Sequence, residues 1–346
     1  MRKTLAVAIL SIFSGAVSAQ SSVTMMGYVG GGVRWLNGVK GGAQVSFDNN
    51  IIAGSKVGIR GSEDLGGNTR AIFELQSAFN SGTGALLLTE TYMGLAGNFG
   101  QVTLGRQLTA FEDMAIVLDP SYARGISLAI VPAAIYGANI FTLDSRYNNT
   151  VKYRDKIGGL TLSGSYSFGG MAGNTRAGSS YSAAVLYQYQ TLLAGVGYQK
   201  TYNADASQSA SILEAGGAWQ LGPARLYLTY SDFSVSGASA QASRRRDNIP
   251  AGGIVYQMTP QFQVTAAFYA DMARNLSNVS GANGHKITTY AIAEYFLSKR
   301  TEVYAEFDYN GFTGAYKTDP INVIALNRRS GASTMTGVSI GIMTRF

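Results

Sequence analysis

Residues 160–168 read Leu-Thr-Leu-Ser-Gly-Ser-Tyr-Ser-Phe, apolar and polar side chains in near-strict alternation. Leu160, Leu162, Tyr166 and Phe168 share one parity, and Thr161, Ser163, Ser165 and Ser167 share the other. Successive side chains of a strand point to opposite faces, so a period of two predicts a strand with one apolar and one polar side. The same pattern recurs along the chain. Phe262, Val264, Ala266 and Phe268 alternate with Gln261, Gln263 and Thr265, and Val303, Ala305, Phe307 and Tyr309 alternate with Glu302, Glu306 and Asp308. At the start, Val23, Met25, Val29, Val33 and Trp35 keep one parity. About sixteen such stretches fit between Val23 and Phe346, the weakest at 220–231 and 252–258.

The links between them are of two kinds. Short ones fall at 98–100, 156–159, 222–223, 258–260 and 298–300, longer polar ones at 234–248 and 271–285. An up-and-down barrel with unlike rims produces this alternation. The last stretch carries Val338, Ile340, Ile342 and Phe346 in step, as expected where a final strand must close on the first.

Composition agrees with a membrane barrel. Charged residues make up 14%, against about 25% in an ordinary soluble chain. Beyond the first residues no segment approaches the ~20 apolar residues of a spanning helix. A barrel needs only alternate residues to meet lipid. The N-terminus has basic Arg2 and Lys3, an apolar run over 5–17, and small residues at Ser18-Ala19, the pattern of a secretory signal peptide. Residues 1–19 are therefore expected to be removed, leaving 20–346 as one transmembrane β-barrel domain. There is no cysteine, so stability must come from barrel closure instead of disulfides. A soluble periplasmic β-protein shares the composition; the period separates the two. Aromatic residues near strand ends, at Tyr187, Tyr189, Tyr198, Tyr202, Trp219, Tyr290 and Tyr295, suit the interfacial girdles of a barrel or simply strand preference.

Catalysis and soft-metal binding find little support. The single histidine, His285, reads as a surface-loop residue, and neither a metal site nor a cofactor is expected. Gly30-Gly31-Gly32 and Gly66-Gly67 lack the Gly-Lys-Ser/Thr ending of a phosphate loop. Arg244-Arg245-Arg246 in an outer loop suits solvation or anionic lipopolysaccharide better than nucleic acid.

Several runs resemble the trimeric general-diffusion porins of Neisseria, Bordetella and Burkholderia relatives: residues 58–67 (Gly-Ile-Arg-Gly-Ser-Glu-Asp-Leu-Gly-Gly) with 71–75, 92–95, 99–107, 146–153, 297–301 and the terminal Phe346. The resemblance implies a homotrimer of 16-stranded antiparallel barrels, each narrowed by an inward-folded third extracellular loop. Residues 108–145 suit that loop, with Glu112, Asp113 and Asp119 as its acids and an apolar stretch over 126–141. A structureless connection of this length is uncommon unless functional.

Parity then places a basic wall opposite the loop. If Val57 and Ile59 face lipid, Lys56 and Arg60 face the lumen, and Arg70, Glu74 and Gln76 follow on the next strand. Arg146, Lys152 and Arg154 are lumenal by the same rule. The resemblance implies a basic ladder at Lys56, Arg106 and Arg146. Arg106 shares parity with Val102 and Leu104, and a mid-membrane arginine facing lipid costs ~2–4 kcal/mol. A bulge that re-aims it is the favoured reading, the rim position the other. One departure weakens anion preference: where relatives carry an arginine, Leu88-Thr89-Glu90-Thr91 stands here.

The expected function is a passive water-filled pore for small hydrophilic solutes and ions, weakly anion-preferring. Its partners are outer-membrane lipid, lipopolysaccharide and copies of itself. A substrate-selective channel with an aromatic track along the lumen is the alternative, and a structural or adhesive barrel is third.

Overall fold

Exposed Val23, Met25, Val29 and Val33 alternate along the first strand with inward-facing Gly30, Gly32 and buried Arg34, the predicted period. The computed structural model describes residues 21–49, 51–121 and 140–346; the signal-peptide reading and most of the apolar stretch 126–141 lie outside them. Along the described chain run β1 (Ser22–Val39), β2 (Gly42–Asp48), β3 (Lys56–Gly66), β4 (Thr69–Phe79), β5 (Leu86–Gly97), β6 (Gly100–Leu108), α1 (Ala110–Leu118), β7 (Arg146–Ile157), β8 (Leu160–Ser167) and β9 (Ser180–Tyr189). There follow β10 (Leu192–Tyr202), β11 (Ser209–Leu221), β12 (Ala224–Val235), β13 (Arg245–Thr259), β14 (Phe262–Arg274), β15 (Gly284–Phe296), β16 (Thr301–Phe312), α2 (Pro320–Ala325) and β17 (Thr334–Arg345).

Each strand from β3 to β17 pairs antiparallel with the next, and the sheet closes where β1 pairs with β17 from Tyr28↔Arg345 to Leu36↔Gly337. On its other edge β1 pairs with β3 through residues 22–28 and with β2 through residues 32–39. β2 and β3 thus share one place in the wall, and the barrel is 16-stranded. Closure leaves no free edge, which lipid would not tolerate. Phe346 completes it, its N–H donating to Gly27 O at 3.0 Å and its C=O accepting from Gly27 N at 3.2 Å.

The outer face is apolar: Val23, Met93, Ile340 and Leu228 are each more than 60% exposed. Tight turns at one rim include Gly158-Gly159, where Gly158 adopts φ +61, a conformation that disfavours a Cβ. Tyr187, Tyr189, Trp219 and Tyr295 lie on the outer face near that rim. Tyr290 does not join them; it is 3% exposed and faces the lumen, because β15 buries its even positions. At the other rim the loops are longer, and residues 313–333 fold back onto the mouth through α2 and the buried Tyr316 and Arg328.

Three further readings change. Arg245 is not in a loop; it lies buried at the start of β13 with its guanidinium on Asp247, leaving only Arg244 and Arg246 exposed. His285 is an exposed residue of β15. The connection 108–145 contains a helix, α1.

Candidate pore constriction

Thr109, next after the end of β6, starts α1 as its N-cap, accepting from Glu112 N at 3.2 Å. Thr109-x-x-Glu112 has the spacing of a capping box, and Glu112 and Asp113 in the first turn complement the helix dipole. This signal was in the sequence, but a search for period two passes over it. Phe111, Met114, Ala115 and Leu118 recur at helical spacing and are buried.

They are buried against the inside of the barrel. On β10 the odd positions face inward, and a Cβ on Gly197 would lie 2.8 Å from Met114 Cε, one on Gly195 3.2 Å from Leu118 Cδ1. These glycines make the floor on which the helix lies. Burial of each large apolar side chain contributes roughly 1.5–3 kcal/mol. The wall also satisfies the helix start: Ala110 N donates to Ser165 Oγ at 3.2 Å and Phe111 N to Ser182 Oγ at 3.3 Å. Unpaired N–H groups of a first turn need such partners when buried. At the far end the Tyr269 hydroxyl donates to Asp119, and Pro120 lies over Gly253.

Glu112 turns toward the wall. It lines a cavity of about 30 Å³ with Glu214, Asp119, Tyr227 and Tyr269, and its Oε1 has no partner among the described residues. Burial, reinforced by the Glu214 carboxylate, pushes its carboxyl well above the ordinary range. Asp113 faces the opposite way, accepting from Lys152 Nζ at 2.7 Å, while the same ammonium donates to Leu108 O at 3.0 Å.

The wall from β3 to β7 carries the expected charges in two states. Arg146 Nε lies 3.4 Å from Glu90 Oε1, and Lys152 is held by Asp113. Tyr92 donates to Glu74 Oε2 at 2.9 Å. Lys56 sits 5.2 Å from the centre of the Tyr28 ring, and Arg60, exposed, pairs in register with Glu74. Among the described residues neither Lys56 nor Arg60 has a carboxylate within 4.0 Å. Glu90 interacts electrostatically with Arg146, Lys56 and Lys152, and Lys152 holds Asp113, so these charges neighbour one another. Two predicted residues stand apart: Arg70 is beside the tight turn at 67–68, in register with Asp64, and Asp119 is taken by Tyr269 and Ser121. The β6–β7 register does shift at Arg106, between Gly105↔Thr150 and Gln107↔Tyr147. On β5, however, Arg106 lies across from Thr91 in step with outward Leu104 and Met93, the rim position and not a turn into the lumen. Its guanidinium is bonded to Asp144 and, at 2.8 Å, to Asn148, near the end of β6.

A row of lumenal carboxylates lies on β16, where Arg345 of β17 donates to Glu302 Oε1 at 3.2 Å. Arg34 from β1 donates to Glu306 at 3.0 Å and to Asp308, so this row is spoken for by the closure seam.

A closed barrel with an apolar outside, a charged inside and a helix laid against its inner wall can pass solutes by diffusion, and comparisons with known proteins agree. A profile described as Gram-negative porin matches residues 5–315. Outer membrane porin protein 32 of Delftia acidovorans is 27% identical over the whole of both chains. Among solved structures, an anion-selective porin from Comamonas acidovorans superposes with a TM-score of 0.80 at 23% identity, covering 94% of this chain and all of that one. The trimer form of OmpT from Vibrio cholerae gives 0.71 at 15% identity, covering 94% and 99%. The chain belongs to the Gram-negative porin family, outer-membrane β-barrels that act as passive channels.

Proposed function

We propose that this porin admits small hydrophilic solutes and ions through the gap between α1 and the β3–β7 wall, with a weak preference for anions. The observation that carries the reading is the unequal state of the wall charges. Arg146 and Lys152 each have a carboxylate within 4.0 Å, whereas Lys56 and Arg60 do not among the described residues. A net positive waist of low charge biases ions without trapping them; unit charges ~6 Å apart interact by roughly 0.7–3 kcal/mol for dielectrics of 80 to 20. The anion-selective relative from Comamonas acidovorans supports the sign. The alternative with an aromatic track is disfavoured, because the inward-facing Tyr227, Tyr269, Tyr290 and Tyr304 are each exposed by 5% or less.

The proposed assembly is a homotrimer, in keeping with the trimer form of OmpT, with a cleaved signal peptide and an outer surface in lipid and lipopolysaccharide. Neither a catalytic residue nor a cofactor is assigned. Planar-bilayer recording across a salt gradient tests the selectivity: the reversal potential should lie slightly on the anion side, and a strongly cationic value would refute it.

A further inference from the structure

Along β10 to β17 the inward-facing arginines are neutralised where they stand, with one exception. Arg245 is bonded to Asp247 and Arg345 to Glu302. Arg225 is the second residue of β12 and has the inward parity, since its neighbours Leu226 and Leu228 are 39% and 69% exposed on the outer face. Among the described residues no carboxylate comes within 4.0 Å of it; its guanidinium lies 5.4 Å from the centre of the Tyr227 ring. A half-buried guanidinium beside a ring keeps its donors for a solute.

Arg225 lines an open cavity of about 510 Å³ at the short-turn rim, beside Pro120 just past the end of α1. Three amides line it as well, Gln220, Gln257 and Gln263. The register brings them together. Gln220 pairs with Arg225 across β11 and β12, and Val255 pairs with Arg225 on the β13 side. Gln257 is two residues on from Val255 and pairs with Gln263 of β14. Strand spacing and rise put Gln220 ~5 Å and Gln257 ~8 Å from Arg225 at the backbone.

Hydrogen bonds fix which end of each amide is presented. Gln220 Nε2 donates to Gly222 O at 2.8 Å and Gln257 Nε2 to Thr259 O at 2.7 Å. Gln263 Nε2 donates to Oε2 of buried Glu294 at 2.8 Å. Carbonyls and carboxylates only accept, so each amide nitrogen is tied and each amide oxygen is left as an acceptor. The cavity thus offers one guanidinium and, beside it, three acceptor oxygens.

We propose that this cavity is a weak binding subsite for small zwitterions of the α-amino acid type, with the carboxylate on Arg225 and the ammonium on the amide oxygens of Gln220, Gln257 and Gln263. A plain anion would use the guanidinium and leave the oxygens unmatched. A plain cation would meet the oxygens but be repelled by Arg225, and a neutral sugar would forgo the charge-assisted bond. The proposal rests on the pore reading above and adds to it: ions and sugars diffuse through, whereas amino acids pause in the turn-side vestibule. Binding must be weak, because a conduit that holds its solute tightly stops passing it.

The test uses the full-length protein in liposomes. Entry of labelled alanine should level off as its concentration rises. Unlabelled alanine should compete, and isopropylammonium, which lacks the carboxylate, should not. Glucose entry, followed alongside, reports the number of open pores. In Arg225→Gln the half-saturating concentration should rise by roughly 3- to 10-fold, the loss of one charge-assisted bond in a wet site. Arg225→Lys keeps the charge without the fork and should fall between. Alanine entry strictly proportional to concentration, in a parent that admits glucose, would overturn the proposal. So would parent-like half-saturation in Arg225→Gln, or competition by isopropylammonium equal to that by alanine. A parent that admits neither glucose nor alanine would instead refute the pore reading itself.

Discussion

Tyr304 of β16 reaches Asp48 of β2 at 3.3 Å, across the two intervening strands of the closure seam. The register row is Asp48↔Gly32↔Gly341↔Tyr304, so both residues under the phenol ring's path are glycines. A Cβ at Gly341 would lie 2.4 Å from the Tyr304 hydroxyl. Beside this row Arg34 crosses in the other direction, from the first strand over Ser339 to Glu306 and Asp308. First and last strands are thus joined by side chains as well as by their ladder.

Arg34→Ala should weaken the seam most. It leaves Glu306 and Asp308 buried without their cation, and loss of one partner of a buried pair costs roughly 3–5 kcal/mol. The temperature at which the folded band is lost in electrophoresis should fall clearly. A variant as heat-resistant as the parent would mean that the seam is held by the ladder alone.

Gly341→Val should displace Tyr304 and cost about 1–3 kcal/mol through overpacking. Combined with Tyr304→Ala, part of that loss should return, because the clash partner is gone. Urea unfolding of the single and double variants measures the difference; strictly additive losses would contradict the crossing.

For ion selectivity, Lys56→Glu should move the reversal potential toward cations, and Asp113→Asn should move it toward anions by releasing Lys152. Arg70→Glu and Arg106→Glu should act more weakly, being at the turn and on Asp144. Equal shifts at all these positions would show that overall lumen charge, and not the waist, sets the preference.

Glu112 gives a pH dependence. Its carboxyl is raised well above the ordinary range by burial, so the neutral form is the one that docks with α1. For a carboxyl whose folded value lies above its unfolded one, the contribution is full at low pH and is lost as pH rises through the folded value. Channel noise or closure should therefore increase as pH rises, and Glu112→Gln should abolish that change. A parent-like pH response in Glu112→Gln would place its origin elsewhere.

At the long-loop mouth, Arg328 stacks 4.0 Å from the centre of the Phe312 ring and donates to Tyr316 O and Ala332 O. Arg328→Ala should cost about 1–3 kcal/mol by stranding those carbonyls, and protease should then cut within 313–333 first. Resistance equal to the parent would deny Arg328 a role in holding that loop.

The barrel was legible because lipid imposes a strict rule: alternate residues must be apolar over each crossing, and a chain of such crossings leaves a period that survives without any partner. Parity therefore also placed Lys56, Glu74, Gln76 and Lys152 on the lumen face. Parity fails where the chain leaves the wall. Ile51, Ile52 and Ala53 carry no local mark of leaving the wall, since a buried segment is as apolar as a lipid face. Tyr290 looked like a girdle residue for the same reason, aromatic burial beneath a lumen element being invisible to a two-residue period. The ion pairs Arg146–Glu90 and Lys152–Asp113 needed spatial neighbours 56 and 39 residues apart, which no local pattern supplies. Arg245 was read by its neighbours Arg244 and Arg246, although Asp247, two residues on and of the same parity, is the group it binds.

Recording from single molecules of the purified protein in a planar bilayer, with unequal salt on the two sides, tests the central claim most directly. Discrete conductance steps that grow in proportion to salt concentration are expected, with a small reversal potential on the anion side. A membrane that stays silent after insertion of the folded protein, or a current that saturates at low salt, would contradict it.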